Sequence, residues 1–325
     1  LVTLRSPTLQ TVPFMYIRSI AIFDFIGLCL ISLHFGLELV PKPSYSQMFY
    51  TTYVEECLIN AFLVASVYCA LLLTSERYLL ITHPHKRRTT DPKYMAQMKI
   101  AILLLCCVVL HLPMAAQNKL RNNNGKWHKG NNIEFLCSEP VFTLYNYYKM
   151  SREFLRFLSI IIMVILNIII ARKLQITKKK RRLMILRPTT NPLNTKKTKT
   201  TTFHVRYSSQ DHSTRTENSL MRSFTEKKLT ALMVAICLIF MIGNLPQTFV
   251  MVLQNEARET NYEFQFIRNI ANLFEVLNHC LNFYVFCMAS SEYMRAFITK
   301  CMCLHGIFSH ITWYKRSINF PENNK

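Results

Sequence analysis

The chain has 325 residues, 50% of them hydrophobic and 18% charged, and its mean hydropathy is +0.14. That much apolar content with so few charges excludes a disordered chain and is high for one soluble domain; 6 glycines and 12 prolines exclude collagen-like and Gly/Pro low-complexity classes. The net charge of +21, from 39 Lys+Arg against 18 Asp+Glu, lies mostly outside the apolar runs, which fits the loops of a membrane protein and not a nucleic-acid binder.

Six apolar stretches are predicted to span a membrane, at about 14–35, 54–81, 100–116, 145–172, 226–253 and 265–288. A large soluble protein with buried helices is the alternative, and basic loops between the runs weigh against it. The first run has the wrong position and flanks for a cleaved signal peptide. It carries Asp24 at mid-span, where an ionisable group is costly. The second run is followed by His83-Pro84-His85-Lys86-Arg87-Arg88. The outer loop Gln117–Thr143 holds Cys137 and four basic residues, Lys119, Arg121, Lys126 and Lys129. After the fourth run, about 175–222 is rich in Lys, Thr and Ser and reads as a disordered inner loop with helical extensions at its ends, its charge against anionic lipid. Nuclear targeting by Lys178–Arg182 is the rival reading. Beyond the last run, Ser290-Ser291-Glu292 caps an expected amphipathic helix at about 291–300. Cys301 and Cys303 at its end are candidates for palmitoylation or remain plain thiols, and 304–325 is a tail. The Lys/Arg bias puts the loops after the second and fourth runs, and the tail, in the cytoplasm. Most cysteines (Cys29, Cys69, Cys106, Cys107, Cys237, Cys280) sit in apolar runs as small hydrophobes.

Glu76-Arg77-Tyr78, followed by Ile81-Thr82-His83-Pro84, closes the second run on its basic side. This resembles the (D/E)-R-Y motif at the inner end of the third helix of rhodopsin-like G-protein-coupled receptors. Other landmarks keep register. Asp24 matches the buried Asp of the second helix. Phe240-Met241-Ile242-Gly243-Asn244-Leu245-Pro246 resembles the sixth-helix F-x-x-C-W-x-P, with Gly for Cys and Asn for Trp. Asn282-Phe283-Tyr284-Val285-Phe286 resembles N-P-x-x-Y, with Phe for both Pro and Tyr. Ser159 and Asn167 stand where the fifth helix usually has Pro and Tyr. The wording of Leu110-His111-Leu112-Pro113, Leu166-Asn167 and Leu281-Asn282-Phe283 is most similar to invertebrate FMRFamide-type neuropeptide receptors. The expected fold is an all-α seven-transmembrane bundle of which six spans are present, the first helix missing from this chain, with residues 1–303 as the receptor domain.

The resemblance implies a division of labour. Glu76, Arg77, Tyr78, Asn167 and Glu226 would form the gate at the G-protein face, with an ion network of Glu76, Arg77 and Glu226; solvated surface charges are the alternative. Asp24, Ser66, Asn278 and Asn282 would form a core polar network that either binds sodium or only hydrogen-bonds. No other metal and no cofactor is expected. Asn60, Leu63, Tyr147, Tyr148, Gln247, Met251, Arg268, Asn272 and Glu275 fall at ligand-facing positions. Glu275, helped by Glu55 and Glu56, would pair with a cationic ligand group, or else internally with Arg268 or His279. A Cys57–Cys137 disulfide is left open. Ile59 and Val276 stand where aminergic receptors and opsins carry their Asp and Lys, which disfavours amines and retinal.

The implied function is a plasma-membrane receptor that passes binding of an extracellular peptide to a heterotrimeric G protein through outward movement of the sixth helix. A chemosensory receptor for small molecules and a polytopic transporter are the alternatives; one mid-span acid and no internal repeat argue against the second. Nucleic-acid binding and catalysis are not expected.

Overall fold

The computed structural model describes residues 12–41, 43–82, 91–123, 125–186, 234–235, 237–253 and 261–289. Helix α1, Val12–Glu38, buries Tyr16, Ile17, Ile20, Phe23, Asp24 and Gly27. That spacing places one face of a 3.6-residue period inward. Its other faces stay apolar and exposed, with Phe25 and Phe35 outward. A helix that is apolar on all sides suits a lipid surround.

Helix α2, Tyr45–Thr82, is capped by Ser44, whose hydroxyl accepts from Gln47 N at 3.3 Å. It passes through a π-helical turn at Tyr50–Val54. Of its most apolar window, 61% is buried, against 22% in α1, 17% in α3 and 33% in α5. The motif-bearing helix is therefore the central one, and α1, α3 and α5 pack around it. Helix α3, Pro92–Gln117, starts on an Asp91 cap with Pro at the first turn and ends in a 3-10 turn, Leu112–Gln117.

The outer loop is not irregular. Strands β1, Asn118–Asn123, and β2, Lys126–Asn131, form an antiparallel hairpin in which Asn123 faces Lys126. Gly125, just before β2, has φ 76, a conformation open to glycine at little cost. A short α4, Ile133–Leu136, follows.

Helix α5, Val141–Leu186, has 46 residues, about 70 Å at 1.5 Å per residue and about twice the ~30 Å bilayer core. It runs into the inner loop as one of the helical extensions expected at that loop's ends, because 175–186 is helix. Lys, Arg, Leu, Met and Gln there favour helix, and the next breaker is Pro188. Helix α6 is described over Cys237–Leu253 and α7 over Tyr262–Ala289. Among the described residues four helices, α1, α2, α3 and α5, are long and apolar enough to cross a membrane.

The core joins Tyr16, Ile17, Ile20 and Phe23 of α1 to Val64, Val67 and Leu73 of α2, with Met163 of α5 and Phe240 of α6. One close approach fixes α6 on α7. A Cβ on Gly243 would lie 2.9 Å from Asn278 Cγ and 3.1 Å from Phe274 O. Glycine at the position that resembles the family's Cys is thus what lets these two helices touch.

Candidate functional site

At the inner end of α2, Arg77 and Tyr78 are half-buried. Glu76 forms an ion pair with Lys99 of α3, a partner that the expected Glu76–Arg77–Glu226 network did not include. Lys99 was visible only as one of the basic residues that set orientation. Asn167 is buried on α5, and its amide donates to Met163 O of the same helix at 2.9 Å. Glu226, Cys301, Cys303 and the expected helix at about 291–300 lie outside the described residues.

In mid-bundle, Asp24 is 4% exposed. Nδ1 of His279 is 2.6 Å from its Oδ1, and Asn282 Nδ2 donates to its Oδ2 at 2.8 Å. A carboxylate only accepts, so the histidine nitrogen that faces it carries the hydrogen. Asp24 and Asn282 therefore meet as expected, joined by His279. Asn278 instead has its Cβ against Gly243 on α6. Ser66 is fully buried, and its hydroxyl has no hydrogen-bond partner among the described residues.

The sodium that the resemblance implies does not fit this arrangement. A hard cation needs converging oxygen lone pairs. Here each carboxylate oxygen of Asp24 faces an N–H donor and Asn278 sits at the α6–α7 contact, so the buried Oδ1 atoms of Asn278 and Asn282, which have no partner among the described residues, do not share a free carboxylate with Ser66 Oγ.

One layer outward is a charged cluster that the sequence reading missed. Arg156 of α5 is 5% exposed, and its Nη2 donates to Asn244 Oδ1 of α6 at 2.7 Å and to Glu275 of α7. One guanidinium therefore ties three helices. Glu275 pairs internally, but with neither Arg268 nor His279. One turn earlier, Arg152 pairs with Glu153 at 2.7 Å and lies 5.8 Å from the Tyr148 ring. The available signal was the repeat Arg152, Glu153, Arg156 at helical spacing inside an otherwise apolar run. A buried charge is costly unless it is paired, so such a run asks for acidic partners elsewhere.

The remaining ligand-facing candidates divide. Gln247 is buried, while Met251 and Arg268 are half-buried. Tyr148 is half-buried, and its hydroxyl donates to Leu110 O at 2.7 Å. Asn60 bonds back to Glu56 O at 2.8 Å. Leu63 is buried against α1, where its side chain covers Gly27. Tyr147 is 70% exposed and lies off the stripe of Tyr148, Arg152 and Arg156 that faces the bundle. Asn272 is also exposed.

At the rim, both acids are engaged. Glu55 meets His34 at 3.0 Å. Glu56 accepts from Asn118 at 3.3 Å and lies 4.0 Å from Lys129 of the hairpin. Tyr53 Oη accepts from Leu120 N at 3.1 Å, and the rings of Tyr45 and Trp127 are 5.0 Å apart. The Cys57–Cys137 disulfide is not formed: both are free thiols, Cys57 buried and Cys137 exposed. The Cys57 thiol faces Tyr53 O at 3.4 Å instead.

The chain matches the family described as 7 transmembrane receptor (rhodopsin family) over residues 1–286. Two Caenorhabditis elegans proteins, each described as a probable G-protein coupled receptor, are similar along most of it. One is 28% identical over 312 residues, covering 93% of this chain and 65% of that protein. The other is 26% identical over 304 residues, covering 91% of this chain and 69% of that protein. With the motif helix at the centre of the bundle and the paired charges at mid-depth, these matches show that the chain belongs to the rhodopsin family of seven-transmembrane receptors.

Proposed function

We propose that the protein is a plasma-membrane G-protein-coupled receptor for an extracellular peptide of the FMRFamide type, with Glu76, Arg77, Tyr78, Asn167 and Glu226 at the face that a G protein would meet. The observation that carries the reading is the Arg156–Asn244–Glu275 clasp. It joins α6 to α5 and α7 at the depth where an external ligand's charged group would arrive. A ligand guanidinium competes with Arg156 for Glu275, and a ligand carboxylate competes with Glu275 for Arg156. Either exchange frees Asn244 and with it α6. A ligand that binds the freed form better shifts the population toward it. Outward movement of α6 then opens the inner face beside Arg77.

A peptide suits the outer half better than a small amine. The rim presents a hairpin and paired acids, and Ile59 leaves α2 without an aminergic anchor. The probable G-protein coupled receptor descriptions of both relatives support the class of activity and carry no ligand.

The test is G-protein activation in cells that express the protein, challenged with amidated peptides ending in Arg-Phe. A dose-dependent response is expected, absent in Arg77→Ala at equal surface level. Silence to the peptides with a response to small external molecules would establish the chemosensory reading instead.

A further inference from the structure

We infer that His279 takes the place of a bound monovalent cation at Asp24, so that protein N–H groups hold this buried carboxylate and the fold does not respond to sodium. The inference goes beyond the receptor reading and depends on neither a ligand nor a G protein.

A carboxylate inside a bundle needs a countercharge or a full set of donors. At Asp24 the donors come from one helix: Nδ1 of His279 at 2.6 Å and Nδ2 of Asn282 at 2.8 Å, one to each oxygen. An N–H aimed at an oxygen repels a cation brought to the same lone pairs. The imidazole is also held in place. His279 is 2% exposed, and its ring meets Phe240 of α6 edge-on, with centroids 6.2 Å apart and planes at 69°. Of the oxygens that a cation could recruit, Asn278 is carried toward the α6–α7 contact by its approach to Gly243. Ser66 Oγ, Asn278 Oδ1 and Asn282 Oδ1 are buried without a partner among the described residues, but with an N–H already on each Asp24 oxygen they lack the carboxylate that a cation's coordination shell would be built on.

The experiment uses the purified protein in lipid nanodiscs. Its thermal midpoint is measured in choline chloride, potassium chloride and sodium chloride at equal ionic strength, for the native chain and for His279→Ser. An ion that binds only the folded state raises the midpoint with concentration and then saturates. The native midpoint is expected to be the same in all three salts. In His279→Ser the imidazole is gone and a hydroxyl oxygen faces Asp24. Its midpoint is expected to fall in choline and to recover by about 2–4 °C with sodium. A saturable, sodium-specific rise in the native protein overturns the inference. So does a folded His279→Ser that ignores sodium, since His279 would then not be what excludes the ion. If His279→Ser does not fold, sodium-23 line broadening by the native protein decides. Broadening that Asp24→Asn abolishes overturns the inference, and no broadening sustains it.

Discussion

Arg156 and Glu275 form an ion pair between α5 and α7, and Asn244 of α6 accepts from the same guanidinium at 2.7 Å. Both residues are nearly inaccessible, at 5% and 8% exposure. Desolvation on this scale makes an ion pair a poor source of net stability, while loss of one partner is severe.

The asymmetry gives the first prediction. Glu275→Ala strands the Arg156 charge and should cost about 3–5 kcal/mol. The double replacement Arg156→Met with Glu275→Met strands nothing and should cost less than Glu275→Ala alone. Thermal midpoints of the three purified proteins measure this. Additive losses from the two sites would show that the residues act independently.

The α6–α7 contact gives the second. Gly243→Ala drives a methyl into Asn278 and toward Phe274 O at 3.1 Å. A backbone oxygen cannot give way as a flexible side chain can, so the helices must part. Overpacking of this kind typically costs about 1–3 kcal/mol. Asn278→Gly in the same chain removes one of the two obstacles and should restore part of the loss. No recovery would place the whole strain on the Phe274 carbonyl.

Four of the six apolar runs coincide with span-length apolar helices among the described residues, because such a run declares itself without reference to any other. Pairings were not, since they depend on helix rotation. Adjacent residues on a helix point about 100° apart, which is why Asn278 meets Gly243 while His279 meets Asp24. No local pattern distinguishes the two. Arg156 was hidden for a related reason: its partners lie 88 and 119 residues away. The hairpin had a local signature in the sequence, the dipeptide Asn-Gly at 124–125, but the strands around it are polar and lack the alternation that marks a half-buried sheet.

At the inner end, the proposed gate yields a third prediction. Glu76 pairs with Lys99 of α3 beside Arg77 of the motif. Lys99→Met removes one claim on its carboxylate and should strengthen its hold on the closed form, lowering basal G-protein activation. Glu76→Gln removes the carboxylate charge and should raise it. The two variants are compared at matched surface expression. A change of the same sign in both would rule out a shared role for Glu76. The Lys99 side chain is 32% exposed, so stability should move by no more than about 1 kcal/mol.

The hairpin gives the last prediction, and magnitudes decide which contacts hold it. The Lys129–Glu56 pair is long, at 4.0 Å, and both side chains are more than a third exposed, at 40% and 37%. Such pairs contribute about 0–1 kcal/mol. The Leu120 N to Tyr53 Oη bond at 3.1 Å contributes about 1 kcal/mol, and the edge-on Trp127–Tyr45 contact about 0.5–1.5 kcal/mol beyond its buried area. The aromatic contacts therefore dominate. Tyr53→Phe and Trp127→Ala should speed amide hydrogen exchange across 118–131, while Lys129→Ala and added salt should leave it nearly unchanged. Exchange that follows salt concentration instead would make the hairpin an electrostatic cover over Glu56. Its dependence on the two aromatic substitutions would make it a strap, fixed to α2 close to Glu55 and Glu56, and any ligand would have to pass beside it.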